Sequence, residues 1–194
     1  NKHSRAIKIL SRGVTSKTLS ALAQNWCLIL FDPKVFFDLV DPNKNIIVAF
    51  SGGGDSSALL HFCYELNQSK LLYGNLSALH INHSLHQDSD QWEEHCKIFC
   101  EERNIPFQSH GVNINVKKSG LESAARNARY KIFQDTLQSH DQLLMAHHAD
   151  DVAETILFRL FRGTGIDGLQ GPIKKRTLGE GLLLRPWLSY TKSD

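Results

Sequence analysis

The sequence predicts an α/β protein: an open parallel sheet of about five strands with helices on both faces. Short β-branched or apolar runs alternate with longer segments whose apolar residues recur at helical spacing, from residue 45 onward. A glycine-rich turn, SGGGDS (residues 51–56), joins the first such run to the first helical segment. Repeated strand–helix units of this kind close into a parallel sheet through right-handed crossovers. At 194 residues the chain suits one domain with a full core.

Each element has its own signal. Asn45 to Phe50 reads as a buried strand, and Leu59, Phe62, Cys63 and Leu66 follow at helical spacing. Leu76 to Ile81 is the second strand. Asp88 or Asp90 is expected to cap a helix with Trp92, Cys96, Phe99 and Cys100 as one apolar stripe. Pro106 to Val112 is the third strand, and Leu121 to Leu137 is helical with Leu121, Ala125, Ala128 and Ile132 inward. Leu143 to Ala146 is the fourth strand, and Val152, Ile156, Leu157 and Leu160 mark the fourth helix. Leu182 to Leu184 is the candidate fifth strand. Ligands of such sheets bind beyond the carboxyl ends of the strands, where strand order reverses. The loops after the first and fourth strands become neighbours if the reversal lies between them.

Composition narrows the function classes. A content of 41% hydrophobic and 22% charged residues is that of an ordinary globular chain, and no run of 18 apolar residues predicts a membrane span. The net charge of +2 does not mark a nucleic-acid binder, so local clusters matter more: Lys117-Lys118 and Lys174-Lys175-Arg176, both expected in loops. Cys27, Cys63, Cys96 and Cys100 form no CxxC pair, so they read as buried thiols in a reducing, cytoplasmic setting. His80, His83 and His86 run from a strand into a loop, where a three-residue spacing does not converge the rings on zinc. Residues 1–44 are treated as an N-terminal extension of open role. Residues 1–31 carry five basic residues and no acid, as a transit peptide, a leader or an added helical segment would.

The turn itself poses a chemical question. Gly52, Gly53 and Gly54 let backbone amides approach an anion, Ser51 and Ser56 supply hydroxyls, and the next helix adds its positive end. No Lys follows, so this is not the GxxxxGK[ST] loop. Asp55 would repel phosphate unless Mg²⁺ stood between them, or unless it only capped the helix.

Strand–SGGxDS–helix resembles the signature of the PP-loop pyrophosphatase family, which splits ATP into AMP and pyrophosphate. Within it, ESAARNARYKIF (residues 122–133) resembles the AARxxRY helix of tRNA(Ile)-lysidine synthetases. AHHADDVAETILFRLFRGTGIDGLQG (residues 146–171) resembles their HHxxDQxET and RGxGxxGL stretches, with Val152 where Gln is frequent. LLRPWL (residues 183–188) resembles their LxRPLL segment, so the resemblance covers about residues 45 to 190. It implies a Rossmann-like PP-loop ATPase fold, with residues 45–194 as the catalytic domain of a chain cut short after it. It also implies a reaction in which ATP adenylates the wobble cytidine of tRNA(Ile) and free L-lysine displaces AMP, forming a carbon–nitrogen bond.

By the same resemblance Asp55, Arg129, Asp151 and Glu154 are the catalytic candidates. Ser51 to Ser56, His147 and the backbone around His80 and Asn82 would hold ATP, and Asp55 with Asp151 would hold Mg²⁺. Asp151 and Glu154, three apart on one helix, can face one cleft, although acids there also favour the helix amino end. Arg129 would meet ATP phosphates, with Arg126 ambiguous and His148 the weaker of the two histidines. Arg162 and the two basic clusters would touch tRNA phosphate, while Gly163, Gly165 and Gly168 shape a turn. The alternatives are a tRNA thiolase of the same superfamily, disfavoured by the cysteine pattern, and an ATP-binding module without catalysis. No membrane partner is expected, and the oligomeric state stays open.

Overall fold

A computed structural model of the chain describes residues 31–83, 88–112, 121–163, 165 and 169–192. Six strands form one sheet: β1 (Asn45–Ala49), β2 (Leu76–Asn82), β3 (Phe107–Gly111), β4 (Asp141–Leu144), β5 (Lys175–Leu178) and β6 (Gly181–Leu184). Their spatial order is β3-β2-β1-β4-β6-β5, and every pairing is parallel except β5 with β6. The helices are α1 (Pro33–Phe37), α2 (Gly54–Gln68), α3 (Ser89–Glu101), α4 (Leu121–Thr136) and α5 (Ala149–Phe161).

Strand alternation divides the core between two faces. Ile46 and Val48 of β1, Leu144 of β4 and Leu184 of β6 join Leu59, Phe62, Cys63 and Leu66 of α2 and Cys96 and Cys100 of α3. On the opposite face Leu79, Leu143, Met145 and Leu183 pack with Phe133 and Leu137, at the end of α4. Neighbouring residues such as Leu143 and Leu144 fall in different clusters because successive side chains of a strand point oppositely. Residues 31–44 also reach the first core, through Phe36 and Val40. Asp32 caps α1 by accepting from the Lys34 amide at 2.9 Å, and Phe31 stacks on Trp187 with ring centroids 4.1 Å apart.

Several expectations need correction. The basic stretch expected as a loop contains β5, which turns into β6 through Gly179 and Glu180. Gly179 has φ +60°, and this tight connection explains a sixth, antiparallel strand. Cys96 and Cys100 are buried as expected, but Trp92 is 54% exposed and stands apart from their stripe. Phe133 and Leu137 anchor α4, whereas Ala125, Ala128 and Ile132 are only partly covered. No residue of α5 is buried, so Leu157 and Leu160 do not face a core. The side chain of Leu121, Lys117-Lys118, His86, Gly168 and Cys27 lie outside the described residues.

Candidate active site

The chain leaves β1 toward β2 on one side, while β4 pairs with β1 on the other. The reversal of strand order therefore lies between β1 and β4, and the loops 50–54 and 145–148 open side by side there. A cavity of about 470 Å³ occupies this crevice, with Ser51, Gly53, Asp55, Ser56, His80, Asn82, Arg129, His147 and Asp151 in its lining.

The glycine loop is held by its own hydroxyls. Ser56 Oγ donates to the Gly53 carbonyl at 2.9 Å, accepts the Ser51 amide at 3.3 Å and lies 3.1 Å from Ser51 Oγ. Gly52 has φ +80°, and a Cβ there would stand 2.8 Å from Cys96 Sγ. Glycine is required on both counts. Gly53 takes the N-cap position and Gly54 opens α2, so Asp55 stands in the first turn without capping it. This sets aside the capping reading of Asp55.

His148 links that carboxylate to the next helix. It is buried at the N-cap of α5, with Nε2 3.7 Å from Asp55 Oδ2 and Nδ1 3.3 Å from Asp150 Oδ2 and 3.7 Å from Asp151 Oδ2. The sequence reading ranked His148 below His147; the structure gives it the bridging position. Asp151 Oδ2 also accepts the His148 amide at 2.8 Å, which fixes the start of α5. Two carboxylates flanking a glycine loop fit Mg²⁺, which takes one or two carboxylates, waters and substrate phosphate oxygens. Among the described residues no three His, Cys, Asp or Glu side chains gather into a metal cluster.

Of the cations, Arg129 faces this cavity, and its Nε is buried without a hydrogen-bond partner. Burial lowers its pKa, with Tyr130 opposing and Arg126 adding to the fall, so an anion placed there would relieve the site. His80 is tied down: its Nδ1 meets the Phe50 carbonyl at 2.8 Å, so the ring braces the loop entrance. Asn82 donates to Glu93 at 2.7 Å and to Asp90 at 3.3 Å, binding β2 to α3. That bond is the first cause of Glu93's lowered pKa. Trp92, expected on the apolar stripe of α3, lines the same cavity.

A second cavity of about 1100 Å³ lies beyond His147, which borders both. Glu154 and Arg126 line the second cavity, while Asp151 and Arg129 line the first. The expectation that Asp151 and Glu154 share a cleft is thus corrected: Asp151 lines the first cavity and Glu154 the second. Tyr130 is ringed by arginines, with Arg176 4.7 Å and Arg126 5.1 Å from its ring centroid. Arg185, only 3% exposed, donates to Tyr130 Oη at 3.1 Å, to the Ile173 carbonyl at 2.7 Å and to His147 Nδ1 at 3.3 Å. A charged residue inside the apolar run LLRPWL was its signal in the sequence. Burial, then Arg185, push the His147 pKa down to about 4. Cys96 and Cys100 are held by burial at about 11 and about 12, so both are inert core thiols.

Comparison with known proteins agrees with this geometry. A relative named tRNA(Ile)-lysidine synthase from Coxiella burnetii is 42% identical over 160 residues, 82% of this chain and 35% of that protein. One of the same name from Pseudomonas aeruginosa is 46% identical over 147 residues, 76% of this chain and 33% of that protein. The chain spans about a third of the length of the curated relatives it matches. A U34-tRNA thiolase from Methanococcus maripaludis shares the fold, with a TM-score of 0.62 and 23% identity over 83% of this chain and 59% of that one. The family model described as PP-loop domain matches residues 19–194, and the chain belongs to that ATP-binding family.

Proposed function

We propose that this chain is the catalytic part of a tRNA(Ile)-lysidine synthetase, a ligase that uses ATP to join free L-lysine to the wobble cytidine of tRNA(Ile). One observation carries the reading: a cavity lined by the glycine loop and Arg129 and a basic, aromatic cavity share one lining residue among those described, His147. Holding ATP requires only the first. A transfer between two substrates requires both, and the relatives at 42% and 46% identity carry that name.

ATP occupies the first cavity, with its pyrophosphate on the Gly52–Gly54 amides and the amino end of α2. Asp55 and Asp151 would hold Mg²⁺, which would supply positive charge to offset that of a leaving pyrophosphate. Arg129 takes an oxygen of the α-phosphate with its otherwise unpaired Nε. The cytidine enters the second cavity among Arg126, Tyr130 and Arg176, with neighbouring tRNA phosphates on the basic rim. Its carbonyl oxygen attacks the α-phosphorus and pyrophosphate leaves. The amine of lysine, oriented by Glu154, then forms the carbon–nitrogen bond as AMP departs and the amine proton passes to a carboxylate. Residues 45–194 carry the catalytic residues of this domain, residues 31–44 pack into its core, and the setting is the cytoplasm, where tRNA is modified. Among the described residues no helix is long and apolar enough to cross a membrane.

The test is product analysis of ATP turnover by the full-length protein with Mg²⁺ and unmodified tRNA(Ile). Paired AMP and pyrophosphate support the reading. ADP and phosphate, or no turnover at all, refute it.

A further inference from the structure

We infer that Arg185 locks His147 in one neutral tautomer, so that His147 serves the reaction as a fixed Nε2–H hydrogen-bond donor and not as a base. A guanidinium carries five N–H donors and no acceptor, so the nitrogen it contacts must accept. Arg185 Nε meets His147 Nδ1 at 3.3 Å, which places the ring proton on Nε2. The guanidinium is itself fixed on the Ile173 carbonyl at 2.7 Å and Tyr130 Oη at 3.1 Å, at a site 3% exposed. It is therefore unable to turn away and free Nδ1.

Nε2 lies across the ring from Arg185 and takes no hydrogen bond among the described residues. The charged groups around the ring are Arg185 after β6, Asp151 of α5, and Arg129 and Arg126 of α4. A neutral donor on the wall between the two cavities suits an oxygen that gains negative charge during the transfer, on either substrate. It cannot take the amine proton, because its only unprotonated nitrogen is occupied by Arg185. That task falls to Asp151 or Glu154, which flank the same wall. Arg185 is a positioning residue here, acting through His147. The tautomer stands independently of the proposed function, whereas the role in transfer rests on it.

The first measurement is a long-range ¹H–¹⁵N correlation spectrum of the histidine-labelled wild-type protein at neutral pH, with His147 assigned through His147→Gln. A protonated Nε2 with an unprotonated Nδ1 is expected, and Arg185→Met should convert this to a mixture. A protonated Nδ1, or an imidazolium, in the wild type overturns the inference whether or not any variant folds. The second measurement compares AMP formation in the full-length His147→Gln and His147→Asn proteins. The Gln amide replaces the Nε2–H donor and the Asn amide the Nδ1 position. Gln should stay within about tenfold of wild type, while Asn should fall by about 10² or more, the usual loss for one transition-state donor. Equal losses, or the reverse order, refute the donor role. A wild type that forms no AMP refutes the proposed function and leaves the spectrum to decide the tautomer.

Discussion

Replacing Asp151 with asparagine separates two roles that the geometry assigns to one carboxylate. Its Oδ2 accepts the His148 amide at 2.8 Å at the start of α5, and the same carboxylate lines the cavity beside Asp55. An asparagine oxygen can still accept that amide. Asp151→Asn then forfeits only the attraction between a carboxylate and the helix end, about 0.3–1 kcal/mol. Asp151→Ala loses the hydrogen bond as well, a further ~0.5–1.5 kcal/mol. Neither loss approaches the several kcal/mol that would unfold a domain of this size. For turnover the order differs. Removing the charge should slow pyrophosphate release by about 10²–10³ in both variants, equivalent to about 3–4 kcal/mol of transition-state stabilisation. Urea denaturation reads the first quantity and a pyrophosphate assay of the full-length protein the second. If Asp151→Asn keeps wild-type turnover and Asp151→Ala loses only stability, the carboxylate is a helix cap and the metal assignment fails.

Three further outcomes follow from other positions. Gly52→Ala places a Cβ where φ is +80° and Cys96 Sγ stands 2.8 Å away. The strain, about 1–2 kcal/mol before the clash is relieved, should shift the loop and weaken ATP binding by about tenfold or more, read by nucleotide titration. Arg129→Met removes a buried charge whose Nε has no partner, so urea denaturation should show stability unchanged or raised while KM for ATP rises about tenfold or more. His147 has a folded pKa of about 4 against 6.5 ordinarily, so the unfolded chain binds more protons between those values. Its contribution to stability is complete above about pH 6.5 and is lost as pH falls toward about 4, by a few kcal/mol. His147→Gln should flatten that part of a stability–pH profile, and an unchanged slope would contradict the burial of a neutral ring.

The central sheet was legible because β1, β2, β4 and β6 are rich in buried apolar residues and α2 carries periodic ones. Cys96 and Cys100, four apart, are both buried on α3 as periodicity predicts. Trp92 fits the same spacing but stands in the first turn of α3, where it lines the cavity. Periodicity reports which face a residue shares, not where the covering layer stops. α5 makes the same point more strongly: Leu157, Phe158, Leu160 and Phe161 have helical spacing and remain exposed, Phe161 by 85%. β5 was obscured because Lys175 and Arg176 read as loop charge, although the Gly179-Glu180 turn between two β-prone runs was a usable hairpin signal.

At the site, the place of the glycine loop and Asp55 at the mouth of the crevice was readable from three glycines between a strand and a helix. The division of Asp151 from Glu154 was not readable. A spacing of three places two residues on one helix face, yet Asp151 lines the first cavity and Glu154 the second, with His147 bordering both. Arg185 was hidden for another reason. Its role depends on Tyr130, 55 residues away, and His147, 38 residues away, and such pairings are set by strand order.

The central claim is that one partition joins ATP chemistry to tRNA chemistry, and lysine transfer tests it most directly. Radiolabelled L-lysine, ATP and Mg²⁺ would be incubated with the full-length protein and a tRNA(Ile) transcript bearing cytidine at the wobble position. A matched transcript with uridine there serves as control. Label joined to the cytidine transcript alone, with one AMP formed per lysine, is the predicted result. AMP and pyrophosphate formed without lysine transfer, or label on both transcripts, would contradict the account.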